Sequence, residues 1–153
     1  MSNVTAADIK TLREETGAGM LDCKKALEES NGDMEKAREW IRQHGLAKAE
    51  KKADREAKEG YVAAYVHSNN HIAALVEIRC ETDFVARNPE FQEMAKNVAM
   101  QVASMSPANV DDLLEQEFIK DPKMTIDELV KSLSGKIGER FVVQRFVRYE
   151  VGE

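Results

Sequence analysis

At Gly60 the hydrophobic pattern of this chain changes period, and that change decides its fold class. Before it, apolar residues recur three and four positions apart; after it, Tyr61, Ala63 and Tyr65 alternate with Val62, Ala64 and Val66, the pattern of a half-buried strand. Alternation resumes at Ile72, Ala74, Val76 and Ile78 beyond the turn residues Ser68-Asn69-Asn70, so the two runs predict a hairpin. A closing run over 141–151, rich in Phe, Val and Tyr, predicts a third strand. Helical spacing returns between the strands, and the expected class is α+β with a three-stranded antiparallel sheet.

The N-terminal part predicts a three-helix bundle over 1–46. Thr5 and Asp8 have the spacing of a capping box, with Val4 and Ile9 as a hydrophobic staple across it. Gly17-Ala18-Gly19 ends that helix, and a second runs from about Met20 to Asn31-Gly32, a left-handed stop. Asp33 caps a third helix, in which Met34, Ala37, Trp40 and Ile41 share a face. Residues 47–59 are Ala, Lys, Glu, Asp and Arg almost throughout, which predicts a stiff, charged linker helix. Residues 60–153 then form the α+β core. Within it, Asn88-Pro89 starts a long helix, Asp111 to Phe118 forms a short acidic helix, and Thr125 with Glu128 makes a second capping box. In the last strand, unbroken alternation puts Phe141, Val143, Val147 and Tyr149 on one face and Val142 and Phe146 on the other, so both faces need cover.

Composition narrows the function. A net charge of −6 and a pI near 5.2 disfavour a nucleic-acid groove, because duplex binding draws on Lys and Arg neutralising phosphates. No apolar run approaches the ~20 residues of a membrane span and the N-terminus lacks a signal-peptide core, so the expected location is cytoplasmic. Two cysteines, Cys23 and Cys80, are too few for a disulfide framework, and no metal-ligand spacing exists; no cofactor is expected. Thr16-Gly17-Ala18-Gly19-Met20 lacks the Lys-Ser/Thr ending of a phosphate loop and reads as a tight turn. Met20 follows it at the bundle tip, as a docking or a core residue. Cys80 with His67 or His71 could form a nucleophilic pair, but no orienting residue accompanies them, and a buried strand-end cysteine is the simpler reading. Thr82-Asp83-Phe84-Val85 falls where a strand hands over to a helix, a place for rigidly held, exposed loops. Leaving Phe84 in water costs roughly 1.5–3 kcal/mol unless fold or partner covers it.

Two of these stretches carry a resemblance. Thr16-Gly17-Ala18-Gly19-Met20-Leu21-Asp22-Cys23-Lys24-Lys25-Ala26-Leu27 resembles the N-terminal signature of the bacterial translation elongation factor Ts family, and Cys80-Glu81-Thr82-Asp83-Phe84-Val85-Ala86-Arg87 its second. The closing Lys136-Ile137-Gly138-Glu139 fits as well. The resemblance implies a ubiquitin-associated-like bundle joined to an α+β core. It also implies guanine nucleotide exchange on the GTPase elongation factor Tu, without covalent chemistry. By the same resemblance Thr82, Asp83, Phe84 and Val85 insert beside the partner's Mg²⁺ and nucleotide, and Arg13, Met20, Leu21, Lys24 and Lys52 dock on the partner. Leu21 replaces a Met found in some relatives. Longer members carry a second copy of the core subdomain and a helical hairpin; residues 106–140 leave room for a single copy. A homodimer is expected to fill that space, across an apolar sheet face. A plain interaction module and a thiol enzyme using Cys80 are the alternative classes.

Overall fold

The first helix, α1 (Ala6–Thr16), begins where the Thr5 hydroxyl accepts from the Asp8 amide at 3.2 Å and the Asp8 carboxylate accepts from the Thr5 amide at 3.0 Å. It ends because Gly17 takes a positive φ of 69°, a conformation open to glycine without strain. The computed structural model describes residues 3–153. Two further helices, α2 (Met20–Glu29) and α3 (Met34–Glu50), complete an N-terminal bundle around Leu12, Cys23, Ala26, Leu27 and Ala37, all fully buried. Asn31 and Gly32, both at positive φ, turn the chain between them.

The charged stretch expected as one linker helix divides instead. Residues 47–50 extend α3, and turns then carry the chain to β1 (Glu59–Val66). Ala49 explains the extension, since it is buried despite its charged neighbours. Two glycines hold α3 to the core. At the crossing of α3 with α7 (Ile126–Ile137), Gly135 meets Gly45 backbone to backbone, and a Cβ on Gly135 would collide with the Gly45 carbonyl. Arg42 adds an ion pair to Glu128 across the same crossing.

The core is a three-stranded antiparallel sheet of order β1, β2 (Ile72–Cys80), β5 (Val142–Glu150). Its inner face, with Ala63, Ala74, Val76 and Ile78, packs on α5 (Pro89–Met105) through Phe91, Ala95, Val98 and Val102. Phe91 also meets Phe141 edge to face, centroids 4.8 Å apart. In β5 the expected faces change halfway. Val143 pairs with Ile78 and Arg145 with Glu77, so Gln144 is an extra residue, a bulge. Beyond it the parity inverts: Phe146 and Arg148 turn towards the helices, while Arg145, Val147 and Tyr149 look outward. The switch brings Phe146 inside, while Val147 and Tyr149 leave apolar side chains exposed on the outer face.

A small hairpin escaped the sequence pattern. The Asp111–Phe118 stretch holds a shorter helix, α6 (Val110–Glu115), and then a small hairpin, β3 (Glu117–Phe118) with β4 (Asp121–Thr125). Gln101, fully buried on α5, holds that hairpin. Its Nε2 donates to the Glu117 carbonyl and its Oε1 accepts from the Ile119 amide, each at 3.0 Å. Among the described residues no helix is long and apolar enough to cross a membrane.

Candidate functional site

Between β2 and α5 the chain makes a single helical turn, α4 (Asp83–Ala86), where the sequence predicts a loop. Thr82 starts it, its hydroxyl accepting from the Val85 amide at 3.3 Å. One turn has little stability of its own, so it is held from both flanks. Val85 and Ala86 anchor it in the core. Asp83 and Phe84 face outward, Phe84 at 80% exposure. Of the four residues expected here, Thr82, Asp83 and Phe84 are exposed and Val85 is buried.

A reciprocal clasp fixes the entry to this turn. The Glu139 carboxylate accepts from the Glu81 and Thr82 amides at 3.0 Å each, and from the Thr82 hydroxyl at 2.6 Å. In return the Glu81 carboxylate accepts from the Arg140 amide at 2.6 Å. Gly138, with φ 93°, ends α7 and turns the chain so that Glu139 follows at once. The signal for this role was Glu139 directly after a helix-ending glycine, but its target is remote in sequence. Asp83 pairs with Arg87 at 2.7 Å, and both side chains are exposed.

Of the expected docking residues, Met20 and Leu21 are bare on α2, at 59% and 82% exposure; Met20 is not a core residue. Gly19, before them, makes no side-chain cap. Lys24 is exposed beside Glu28, and Arg13 is exposed on α1. Lys52 is half-buried in the turn after α3, donating to the Lys48 carbonyl at 2.9 Å. Burial, then the neighbouring Arg55 and Lys48 cations, lowers its pKa. Polar contacts link these parts: Lys48 to Asp22 of α2 at 2.8 Å, Lys52 to Lys48, and Arg55 to Glu81 at 3.5 Å.

Nothing comparable surrounds the cysteines. Cys80 is fully buried, its thiol donating to the Thr82 carbonyl at 3.2 Å, and burial pushes its pKa up to about 11. A thiolate nucleophile needs the opposite shift.

The family described as Elongation factor TS matches residues 2–112 of this sequence. Elongation factor Ts of Synechococcus sp. (strain RCC307) is 44% identical, the alignment covering all of this chain and 92% of the relative. That of Nitratidesulfovibrio vulgaris is also 44% identical, over 97% of each chain. The chain belongs to the elongation factor Ts family. In this member of the family the Asp83-Phe84 turn and the start of α2 are both exposed. The Moorella thermoacetica elongation factor Ts is 43% identical over 98% of this chain. These alignments extend over 194 to 199 positions against the 153 residues here. The relatives thus hold residues without a counterpart in this chain.

Proposed function

We propose that this chain releases GDP from elongation factor Tu by docking through the bundle and pressing Asp83 and Phe84 against the partner's Mg²⁺ and nucleotide site. The observation that carries the reading is Phe84, an aromatic ring 80% exposed on a turn that hydrogen bonds hold in place. A ring held in water by its own fold gains up to a few kcal/mol when a partner covers it. Mg²⁺ requires near-ideal octahedral geometry, so a shift of about an ångström in one of its ligands weakens the metal's hold on GDP. Asp83 can accept hydrogen bonds from loop groups that would otherwise face the metal or phosphates, once Arg87 swings aside from an exposed pair worth ~0–1 kcal/mol. No bond is made or broken. Exchange requires only that GDP and this chain weaken each other's binding to the GTPase, which linkage makes reciprocal.

The division of labour follows. Arg13, Met20, Leu21, Lys24 and Lys52, on and just after the bundle, supply affinity, and the core supplies the wedge. The test is stopped-flow release of labelled GDP from elongation factor Tu. Wild-type protein accelerates release, and Phe84→Ala reduces the acceleration; equal release with either protein overturns the wedge.

The outer sheet face supports a homodimer. Val62, Leu75, Val147 and Tyr149 are exposed there, with Arg145 paired to Glu77 at 2.8 Å among them. The occupant proposed is a second copy in a two-fold, self-complementary contact. It takes the place of the second subdomain that the resemblance gives to longer members of the family.

A further inference from the structure

We infer that Glu139 is the positioning residue of the exchange wedge, holding the Asp83-Phe84 turn in its presented form before any partner arrives. The inference rests on the wedge reading above and deepens it. Three donors converge on this one carboxylate: the Glu81 amide, the Thr82 amide and the Thr82 hydroxyl. Hydrogen bonds to an ionised acceptor are shorter and stronger than neutral ones. The three groups immediately precede Asp83, so they set both where the one-turn helix starts and which way its first residues point. Thr82 is used twice, since the oxygen that donates to Glu139 also accepts from Val85 to cap the turn. That cap is oriented by the clasp: with the hydroxyl proton directed at Glu139, an oxygen lone pair is left for the Val85 amide.

The clasp is anchored behind. Glu139 follows the C-cap of α7, its carbonyl accepts from Ser134 of that helix, and Arg140 is bound by Glu81 at its amide and to the Arg55 carbonyl through its guanidinium at 2.6 Å. The partner therefore meets a turn already ordered, and the cost of ordering it is not drawn from the binding energy. A positioning role acts on the rate from the docked complex, whereas docking itself runs through α2 and Lys52.

Glu139→Gln tests this in the full chain. The amide has a single acceptor oxygen and cannot serve three donors. With elongation factor Tu·GDP varied to saturation, the maximal exchange rate is expected to fall about tenfold or more, as misplacement of a functional group does. The half-saturating concentration should change by less than about twofold, because the docking surface is untouched. Hydrogen exchange read on the same protein should show the Glu81 and Thr82 amides losing protection while the β2 ladder keeps its own. An unchanged maximal rate, or full protection of both amides, overturns the inference. Thr82→Val, which removes the hydroxyl and leaves the carboxylate, gives the same split of rate from affinity if Glu139→Gln does not fold. Phe84→Ala run beside them separates the two claims. Slow exchange by Phe84→Ala with wild-type exchange by Glu139→Gln overturns the positioning role alone, while wild-type exchange by Phe84→Ala overturns the wedge and this inference with it.

Discussion

Phe84→Ala removes a ring that makes little of the core, so thermal unfolding should move by no more than about 2 °C while exchange slows. The loss expected is roughly ten- to a hundredfold, from the ~1.5–3 kcal/mol that burying a Phe contributes. Asp83→Ala removes one exposed ion pair, worth ~0–1 kcal/mol to the fold, and should also slow exchange with the fold intact. A drop in unfolding temperature comparable to a core deletion would place Phe84 in the interior. The same scale settles the cysteines. With the Cys80 thiol fully buried and its pKa raised to about 11, a disulfide reagent at pH 8 should leave it unmodified until the protein is unfolded. Fast labelling of Cys80 in native protein, with loss of exchange, would favour the thiol chemistry that the geometry speaks against.

The crossing of α3 and α7 makes a prediction of opposite signs at two glycines. Gly135→Ala sets a methyl against the Gly45 carbonyl, a backbone atom with no rotamer to yield, and should destabilise by about 1–3 kcal/mol as overpacking does. For Gly45→Ala the nearest atom to the new methyl is the Ser132 carbonyl oxygen at 3.6 Å, an ordinary contact. It should be neutral or stabilise by up to ~1 kcal/mol through helix propensity; chemical denaturation of both variants decides. Acid probes an ion pair within α3, between Glu39 and the Arg42 that reaches across to α7. Arg42, with help from Gln43, lowers Glu39 from 4.5 to about 2. A depressed carboxylate stabilises the folded state above its unfolded pKa, so the contribution is complete above about 4.5 and is lost as pH falls towards 2. In Glu39→Gln that part of the acid dependence should vanish, read as unfolding midpoint against pH. Most of these helices were legible in the sequence, because caps such as Thr5/Asp8, Asn88-Pro89 and Thr125/Glu128 act within four residues. Three features were not, since each rests on a remote partner. The turn α4 depends on Glu139, the hairpin of β3 and β4 on Gln101, and the joining of the helical residues 47–50 to α3 on burial of Ala49. The Asp83-Phe84 pair was visible as a motif, but the clasp that presents it was not.

For the whole molecule, the exposed outer face of the sheet is the feature with most at stake. Light scattering at micromolar concentration should give about twice the mass of one chain, and Val147→Lys, which places a charge on that face beside Leu75 of the central strand, should shift it towards monomer. Phe146 is unsuited to this test, because the bulge turns it inward and a charge there would attack the core instead. A monomer mass for the wild type would return the face to solvent. The bulge has one more consequence, for the length of the chain. Losing a single residue from a strand ordinarily inverts every side chain beyond the gap. Gln144 is the residue of β5 without an opposite number. Excising it should close the ladder and leave Phe146 inside and Val147 outside, whereas excising Arg145 or Val143 removes a paired side chain. The strand can therefore be shortened at Gln144 without exchanging its two faces.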